Sequence, residues 1–192
     1  MSETKNINVN LFPTTIKYVN NFLSLDEVDK IIEISRSLPF QNHGAFIGDG
    51  KTSYFLKDNF LKNTIFDKKI NEALNDYTEI LGMGKVKMSE SWVNIQKPNS
   101  ELLQHCHVRS PISGALYLKT DVKSSRLFFH NPNPYIKFYF ARKWTESNIE
   151  FFSLKVNTGD LVLFPGWLNH SSNRELNLSE ERIVLSLNTI FV

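Results

Sequence analysis

From residue 85 onward the chain breaks into short runs of β-branched, aromatic and aliphatic residues separated by turn formers, and this texture leaves few folds open. The runs are KMSESWVNIQ, SGALYLK, RLFFHN, EFFSLKV, DLVLF and RIVLSLNTIFV. Each has the length of a strand, and strands this short and closely spaced bury themselves as a sandwich or small barrel. Ahead of them the period changes. Ser24 and Glu27 have capping-box spacing, and Leu25, Val28, Ile31, Ile32 and Ile34 recur at helical intervals until Pro39 ends the segment. A second helix is predicted from about Asn59 to Leu81, with Phe60, Leu61, Ile65, Phe66, Ile70, Leu74 and Tyr77 on one stripe and Gly82 and Gly84 stopping it. Between the two, NHGAFIGDGKTSY carries three glycines and reads as a loop. The expected class is α+β, mainly β. Helical support over about 22–84 packs on one sheet of a barrel built mainly from 86–192.

At 192 residues and 22.2 kDa the chain suits a single domain over 1–192, and fifteen Phe supply a large aromatic core. Twenty-two basic residues scattered among twenty acidic ones leave a net charge of +2 and no basic block, so composition does not by itself predict phosphate-backbone binding, and a nucleic-acid partner through a local patch stays open. Cys106 is the lone cysteine, which rules out an intramolecular disulfide. The N-terminal MSETKNINVN lacks the apolar stretch of a secretory signal, so a cytoplasmic location is expected. No apolar run approaches the roughly 18 residues needed to cross a bilayer, so no membrane partner is expected.

Two of the five histidines flank that cysteine in LLQHCHVRSPISGALYL. In an extended strand, residues two apart share a face, so His105 and His107 project together and Cys106, read as an inert packed thiol, points away. Imidazole nitrogens at that spacing suit a shared transition metal, with His170 in DLVLFPGWLNHSSN as the natural third ligand. A His-x-His pair alone is a weak signal, and His43 and His130 have no partners that argue for anything beyond structure. Arg182 adds weight. Alternation in ERIVLSLN puts Arg182, Val184, Ser186 and Asn188 on one face and Ile183, Leu185 and Leu187 on the other. Either Arg182 caps an exposed strand start with Glu180 or Glu181, or it is a buried clamp for a carboxylate with Ser186 adding a hydroxyl donor. Trp92 shares the parity of Asn94 and is read as core or pocket lining.

Taken in order, SWVNIQKP, HCHVRSPISGALYL, RLFFHNP, GDLVLFPGWLNH and ERIVLSLN resemble the 2-oxoglutarate- and iron(II)-dependent oxygenases. More narrowly, they are similar to a group of such oxygenases found in phages and marine bacteria. The resemblance covers roughly Ser91 to Val192 and implies a double-stranded β-helix, a jelly-roll or cupin-like barrel with Fe(II) in its mouth. It places His105 and His170 at the two histidine-ligand positions and Arg182 where a basic residue pairs with 2-oxoglutarate. Asn94 lies where DNA-repair dealkylases contact the co-substrate, and Gln96 falls on the same face. One position departs: the superfamily usually has Asp or Glu two residues after the first histidine, whereas here it is His107. The narrower group shares this pattern, and the resemblance then implies that His107 is a metal ligand or at least lies directly beside the metal. The other option is a carboxylate such as Asp121 or Asp160 supplying the missing negative charge.

The implied reaction hydroxylates a substrate while dioxygen and 2-oxoglutarate are consumed and succinate is released. Two rivals stay open at this stage: a cupin-type three-histidine dioxygenase that needs no 2-oxoglutarate, and a non-catalytic barrel serving as a binding module. Tyr135 to Asn148, with Phe138, Tyr139, Phe140, Arg142, Lys143 and Trp144, reads as an inserted lid. Its mix of aromatic and basic residues suits a nucleotide or nucleic acid and suits a hydrophobic docking surface equally well, so a small molecule, a peptide and a nucleotide or nucleic acid all stay open as substrate. The primary substrate and the oligomeric state are not legible.

Overall fold

The computed structural model describes residues 7, 11–138 and 141–192. Its strands are Lys17–Val19 (β1), Gln41–Asn42 (β2), Phe46–Ile47 (β3), Gly50–Thr52 (β4), Val86–Gln96 (β5), Glu101–Leu102 (β6), Ile112–Lys119 (β7), Leu127–His130 (β8), Phe151–Leu154 (β9), Leu161–Pro165 (β10), His170–Ser171 (β11) and Arg182–Phe191 (β12). The helices are Leu25–Ser35 (α1) and Ile65–Ile80 (α2). Among the described residues, a seven-stranded sheet runs in the order β1-β10-β7-β12-β5-β4-β2, a three-stranded sheet is β11-β8-β9, and β3 pairs with β6. This mainly β arrangement with two helices on one sheet is the predicted class. All six predicted strand segments form.

α1 begins where the sequence predicts. Ser24 accepts from the Glu27 backbone, and the Glu27 carboxylate accepts from the Ser24 N–H, closing the capping box. α2 starts about six residues later than its apolar stripe suggests. Asn63 sits in the left-handed region at φ 67°, which breaks the helical path, and Thr64 then caps by accepting from the Asp67 N–H at 3.2 Å. The upstream Asn59 serves this turn instead of a helix: its Oδ1 accepts from Leu61 N and its Nδ2 donates to Asp67. Gly82, at φ 64°, follows the helix end as predicted. The segment read as a glycine loop is corrected too. It holds β2, β3 and β4, and β4 extends the main sheet by pairing with β5.

The strict alternation of β12 separates two cores. Ile183, Leu185 and Leu187 face the helices, joining Val28, Ile31, Ile70, Leu74 and Tyr77 with Leu161 and Leu163 of β10. Val184 faces the small sheet with Tyr117, Val162, Phe164 and Phe129. β12 pairs antiparallel with β5 on one side and β7 on the other, in a register that sets Arg182 beside Gln96, Val184 beside Asn94 and Tyr117, and Ser186 beside Trp92 and Ala115. Cross-strand neighbours share a face, so polar groups from three strands converge between the sheets. Among the described residues no helix is long and apolar enough to cross a membrane.

Candidate functional site

His105 and His170 come from distant segments and meet as an antiparallel bridge, each backbone N–H donating to the other's carbonyl at 3.0 and 2.9 Å. The Pro165–Gly166 turn that precedes His170 also grips the loop after His107: His107 N donates to Gly166 O at 2.6 Å and Gly166 N to Pro111 O at 3.2 Å. Only glycine fits at this crossing. A Cβ on Gly166 would stand 1.9 Å from the Ser110 carbonyl oxygen and 2.7 Å from that of His107. Thr189 of β12 ties down the far end of the same loop, accepting from Ile112 N while its own N–H donates to Ser110 Oγ.

These ties bring the three predicted imidazoles together, with one ligand atom from each lying within 4.8 Å of the others. The rings of His107 and His170 are nearly parallel at 5.2 Å, and the centroid of His105 is 4.3 Å from that of His170. Nδ1 of His105 donates to Leu103 O at 2.8 Å and Nδ1 of His170 to Leu168 O at 2.9 Å, which leaves Nε2 of each as a lone-pair donor. All three stay neutral. Burial lowers His170 well below the usual imidazole range, lowers His105, and takes His107 to about 4, with the neighbouring histidines adding to the depression of His107 and His170. Three neutral nitrogens within 4.8 Å of one another are the groups that would hold a first-row metal, whose bonds to imidazole run about 2 Å. Asp121 and Asp160 are not part of this cluster. Asp160 accepts from Tyr18 Oη, Asn21 N and Asn157 N, and Asp121 accepts from Ser179 Oγ and Lys123 N. Both carboxylates brace loops.

Arg182 is buried, 4% exposed, and does not cap the strand start. Glu181 instead pairs with Lys97 and Lys119. The guanidinium donates from Nη1 to Gln96 Oε1 at 2.6 Å and from Nε to Ser125 O at 3.1 Å, and it lies 5.3 Å from the centre of the Tyr117 ring. Burial lowers its pKa while the Tyr117 hydroxyl and, more distantly, Glu175 oppose the shift. None of the ion pairs among the described residues includes it. Gln96 is engaged at both ends, since its Nε2 donates to Ser172 Oγ at 3.2 Å. Asn94 Nδ2 donates to Ser186 Oγ at 2.9 Å. One narrow cavity is lined by all three histidines, Asn94, Gln96, Arg182 and Ser186, together with Tyr117.

Several residues at this site escaped the sequence reading. Tyr117 shares a parity with Ala115 and Ser113, which alternation alone could have exposed, and burial raises its pKa so that it stays a neutral hydroxyl. A train of rings leads from the surface to the histidines: Phe55, 47% exposed, lies 6.0 Å from Tyr54, Tyr54 lies 5.1 Å from Trp92, and Trp92 lies 5.7 Å from His107. His43 packs against Tyr54 and Phe55, and the Lys57 ammonium sits 3.2 Å above the Tyr54 ring. The segment read as a lid leaves β8 at the rim, where His130 N donates to Asn169 O. Within it Tyr135 and Trp144 are exposed, whereas Tyr139, Phe140 and the side chain of Phe138 lie outside the described residues.

Three neutral imidazoles and a buried guanidinium thus line one cavity of the β-roll, a donor set of the kind that suits a transition metal beside an anion. The family described as "Putative 2OG-Fe(II) oxygenase" matches residues 90–188, just over half of the 192, and the chain belongs to this family. It is a 2-oxoglutarate- and Fe(II)-dependent oxygenase, an oxidoreductase whose cofactor is iron and whose co-substrate is 2-oxoglutarate. No curated protein matches the sequence. Among solved structures, HygX from Streptomyces hygroscopicus, crystallised with nickel and 2-oxoglutarate, is 11% identical with a TM-score of 0.63 over 92% of this chain and 82% of that one. A Pseudomonas putida prolyl-4-hydroxylase is 15% identical, with a TM-score of 0.60 over 93% and 94%. The epimerase SnoN of nogalamycin biosynthesis is 12% identical, with a TM-score of 0.65 over 93% and 78%. At these identities the likeness establishes the double-stranded β-helix fold.

Proposed function

We propose that His105, His107 and His170 hold the iron and that Arg182 grips the far carboxylate of 2-oxoglutarate, in one catalytic domain spanning 1–192. The observation that carries this reading is a buried guanidinium facing the same cavity as three neutral imidazoles. An arginine withdrawn from water without a counter-ion costs several kcal/mol, and a dicarboxylate entering the cavity offsets that cost with a charge-assisted fork. Asn94 and Ser186, bonded to each other and lining the cavity, offer an amide and a hydroxyl to the same co-substrate. Gln96, which also lines the cavity, holds the guanidinium by accepting from its Nη1. Tyr117, neutral and beside Arg182, adds a hydroxyl to the cavity lining.

Iron, when bound, supplies dioxygen activation coupled to the decarboxylation of 2-oxoglutarate to succinate and hydroxylation of a substrate C–H bond. The chain positions and excludes. The outer N–H of His105 and of His170 is held by a backbone carbonyl, so their rings cannot turn over, and Trp92 packs an apolar ring against His107. A three-histidine dioxygenase that needs no 2-oxoglutarate has no use for Arg182, which favours the co-substrate reading. The test is anaerobic Fe(II) titration of wild type, His105→Ala and His170→Ala, with succinate assayed with and without 2-oxoglutarate. Loss of iron binding in both variants, and succinate formed by wild type only with the co-substrate, is expected. Unchanged iron affinity in both variants would overturn the ligand set.

A further inference from the structure

Alternation puts Gln96, Asn94 and Trp92 on one side of β5. Gln96 accepts from Arg182, Asn94 donates to Ser186, and the ring of Trp92 lies 5.7 Å from that of His107. The order along the strand is therefore the guanidinium, then an amide and a hydroxyl, then a histidine. A co-substrate gripped at Arg182 and reaching the metal occupies that span. The group to be oxidised must come from beyond Trp92.

Beyond Trp92 stands a cluster of rings. Tyr54 meets Trp92 edge-on at 5.1 Å, and Phe55 and His43 pack against Tyr54 at 6.0 and 5.6 Å. Its frame is set before any ligand arrives: Ser53 N donates to Val93 O, Ser53 Oγ accepts from Val93 N, and Thr52 Oγ1 accepts from Tyr54 N. A cluster that served only as core would be shut off from water, yet Phe55 and Lys57 are exposed. Two polar groups in it are also unspent. Lys57, in the left-handed region at φ 54°, holds its ammonium 3.2 Å above the Tyr54 ring and joins none of the ion pairs among the described residues. His43 accepts from Ala45 N on Nδ1 at 3.0 Å, so its proton sits on Nε2 as a donor.

Resting on the reading of the three histidines as the iron site and of Arg182 as the grip on 2-oxoglutarate, we propose that Trp92, Tyr54, Phe55, His43 and Lys57 form the subsite for the primary substrate. That substrate is a small molecule with a flat ring and an anionic group. The aromatic side chains offer faces and edges for the ring. Lys57 and the Nε2–H of His43 offer a cation and a donor to a carboxylate or a phosphate. A ring seated against Tyr54 and Trp92 lies beside His107, the ligand nearest this cluster.

Protein loaded with Co(II) and saturated with 2-oxoglutarate under nitrogen is titrated with two matched pairs, adenosine 5′-monophosphate against adenosine and phenylacetate against phenylacetamide. Proton NMR follows the broadening of the probe's ring signals by the paramagnetic ion, and visible absorption follows the Co(II) itself. The anion of at least one pair is expected to broaden and to bind about fivefold tighter than its neutral partner, the size of an exposed ion pair. Which pair responds tells a phosphate from a carboxylate. Lys57→Met should abolish the preference for the anion, whereas Phe55→Ala should weaken both members of the pair about tenfold by removing a stacking face. Broadening of neither anion, equal affinity for anion and neutral partner, or a preference that survives Lys57→Met overturns the subsite, while bound Co(II) still upholds the ligand set. If His107→Ala binds Co(II) like wild type, the ligand set is wrong and the subsite falls with it.

Discussion

In the Arg182→Lys variant the positive charge stays and the planar fork goes, while Arg182→Met removes both. Arg182 is buried and holds two protein acceptors, Gln96 Oε1 at 2.6 Å and Ser125 O at 3.1 Å, so its plane is already set before any co-substrate arrives. A preset fork meets a carboxylate with two charge-assisted bonds, each contributing about 1.5–3 kcal/mol. Lysine keeps one of them, and its affinity for 2-oxoglutarate should fall about 10- to 100-fold, whereas methionine should lose about 3–6 kcal/mol, or roughly 10²- to 10⁴-fold. Iron affinity should stay within about twofold in both, because the guanidinium shares no bonds with the histidines. The cost to the fold is separate: the methionine variant strips a donor from two buried oxygens at about 1–3 kcal/mol each, and urea unfolding reads it directly. Calorimetric titration of the anaerobic iron-loaded proteins with 2-oxoglutarate gives the binding numbers. The reasoning would be refuted by a change in 2-oxoglutarate affinity of less than about threefold in Arg182→Met, or by metal and co-substrate affinities falling in step.

Gly166→Ala should lower the melting temperature and weaken metal binding together, since its Cβ would sit 1.9 Å from the Ser110 carbonyl oxygen and push the His107 loop off the turn that leads to His170; differential scanning calorimetry with a Co(II) titration checks both. Acid should destabilise the metal-free protein from about pH 6.5 downward. His107 is held at about 4 when folded, so on lowering the pH the unfolded chain takes up a proton first. The contribution of His107 is nil above about pH 7 and amounts to about 2 kcal/mol lost by pH 5. His105 and His170, lowered in the same direction, add to it. Urea unfolding at pH 7.5 and pH 5.0 measures the sum, and a stability that is flat across this range would contradict neutral buried imidazoles.

The strands that build the site were legible because their alternation is strong. Arg182, Val184 and Ser186 reach the cavity side and Ile183, Leu185 and Leu187 the helix side, as period two requires. The histidine set was legible from spacing and resemblance together. What stayed hidden depended on partners distant in the chain. β2, β3, β6 and β11 are two residues long, too short for a local period, and exist because a neighbouring strand offers a ladder. The late start of α2 comes from the left-handed Asn63, a backbone state that an apolar stripe running straight through it does not reveal. Tyr54 and Phe55 lie in the segment read as loop, and nothing local links them to Trp92.

β12 follows every other described strand in chain order, yet it lies between β5 and β7 and carries both Arg182 and Thr189. During synthesis the two older strands must wait with bare edges for a neighbour not yet made. A chain that lacks residues 182–191 lacks both the guanidinium of Arg182 and the Thr189 tie on the loop after His107. On the proposed site assignment, half-made copies would be oxidatively silent, and the cavity is complete only once its middle rung slides home.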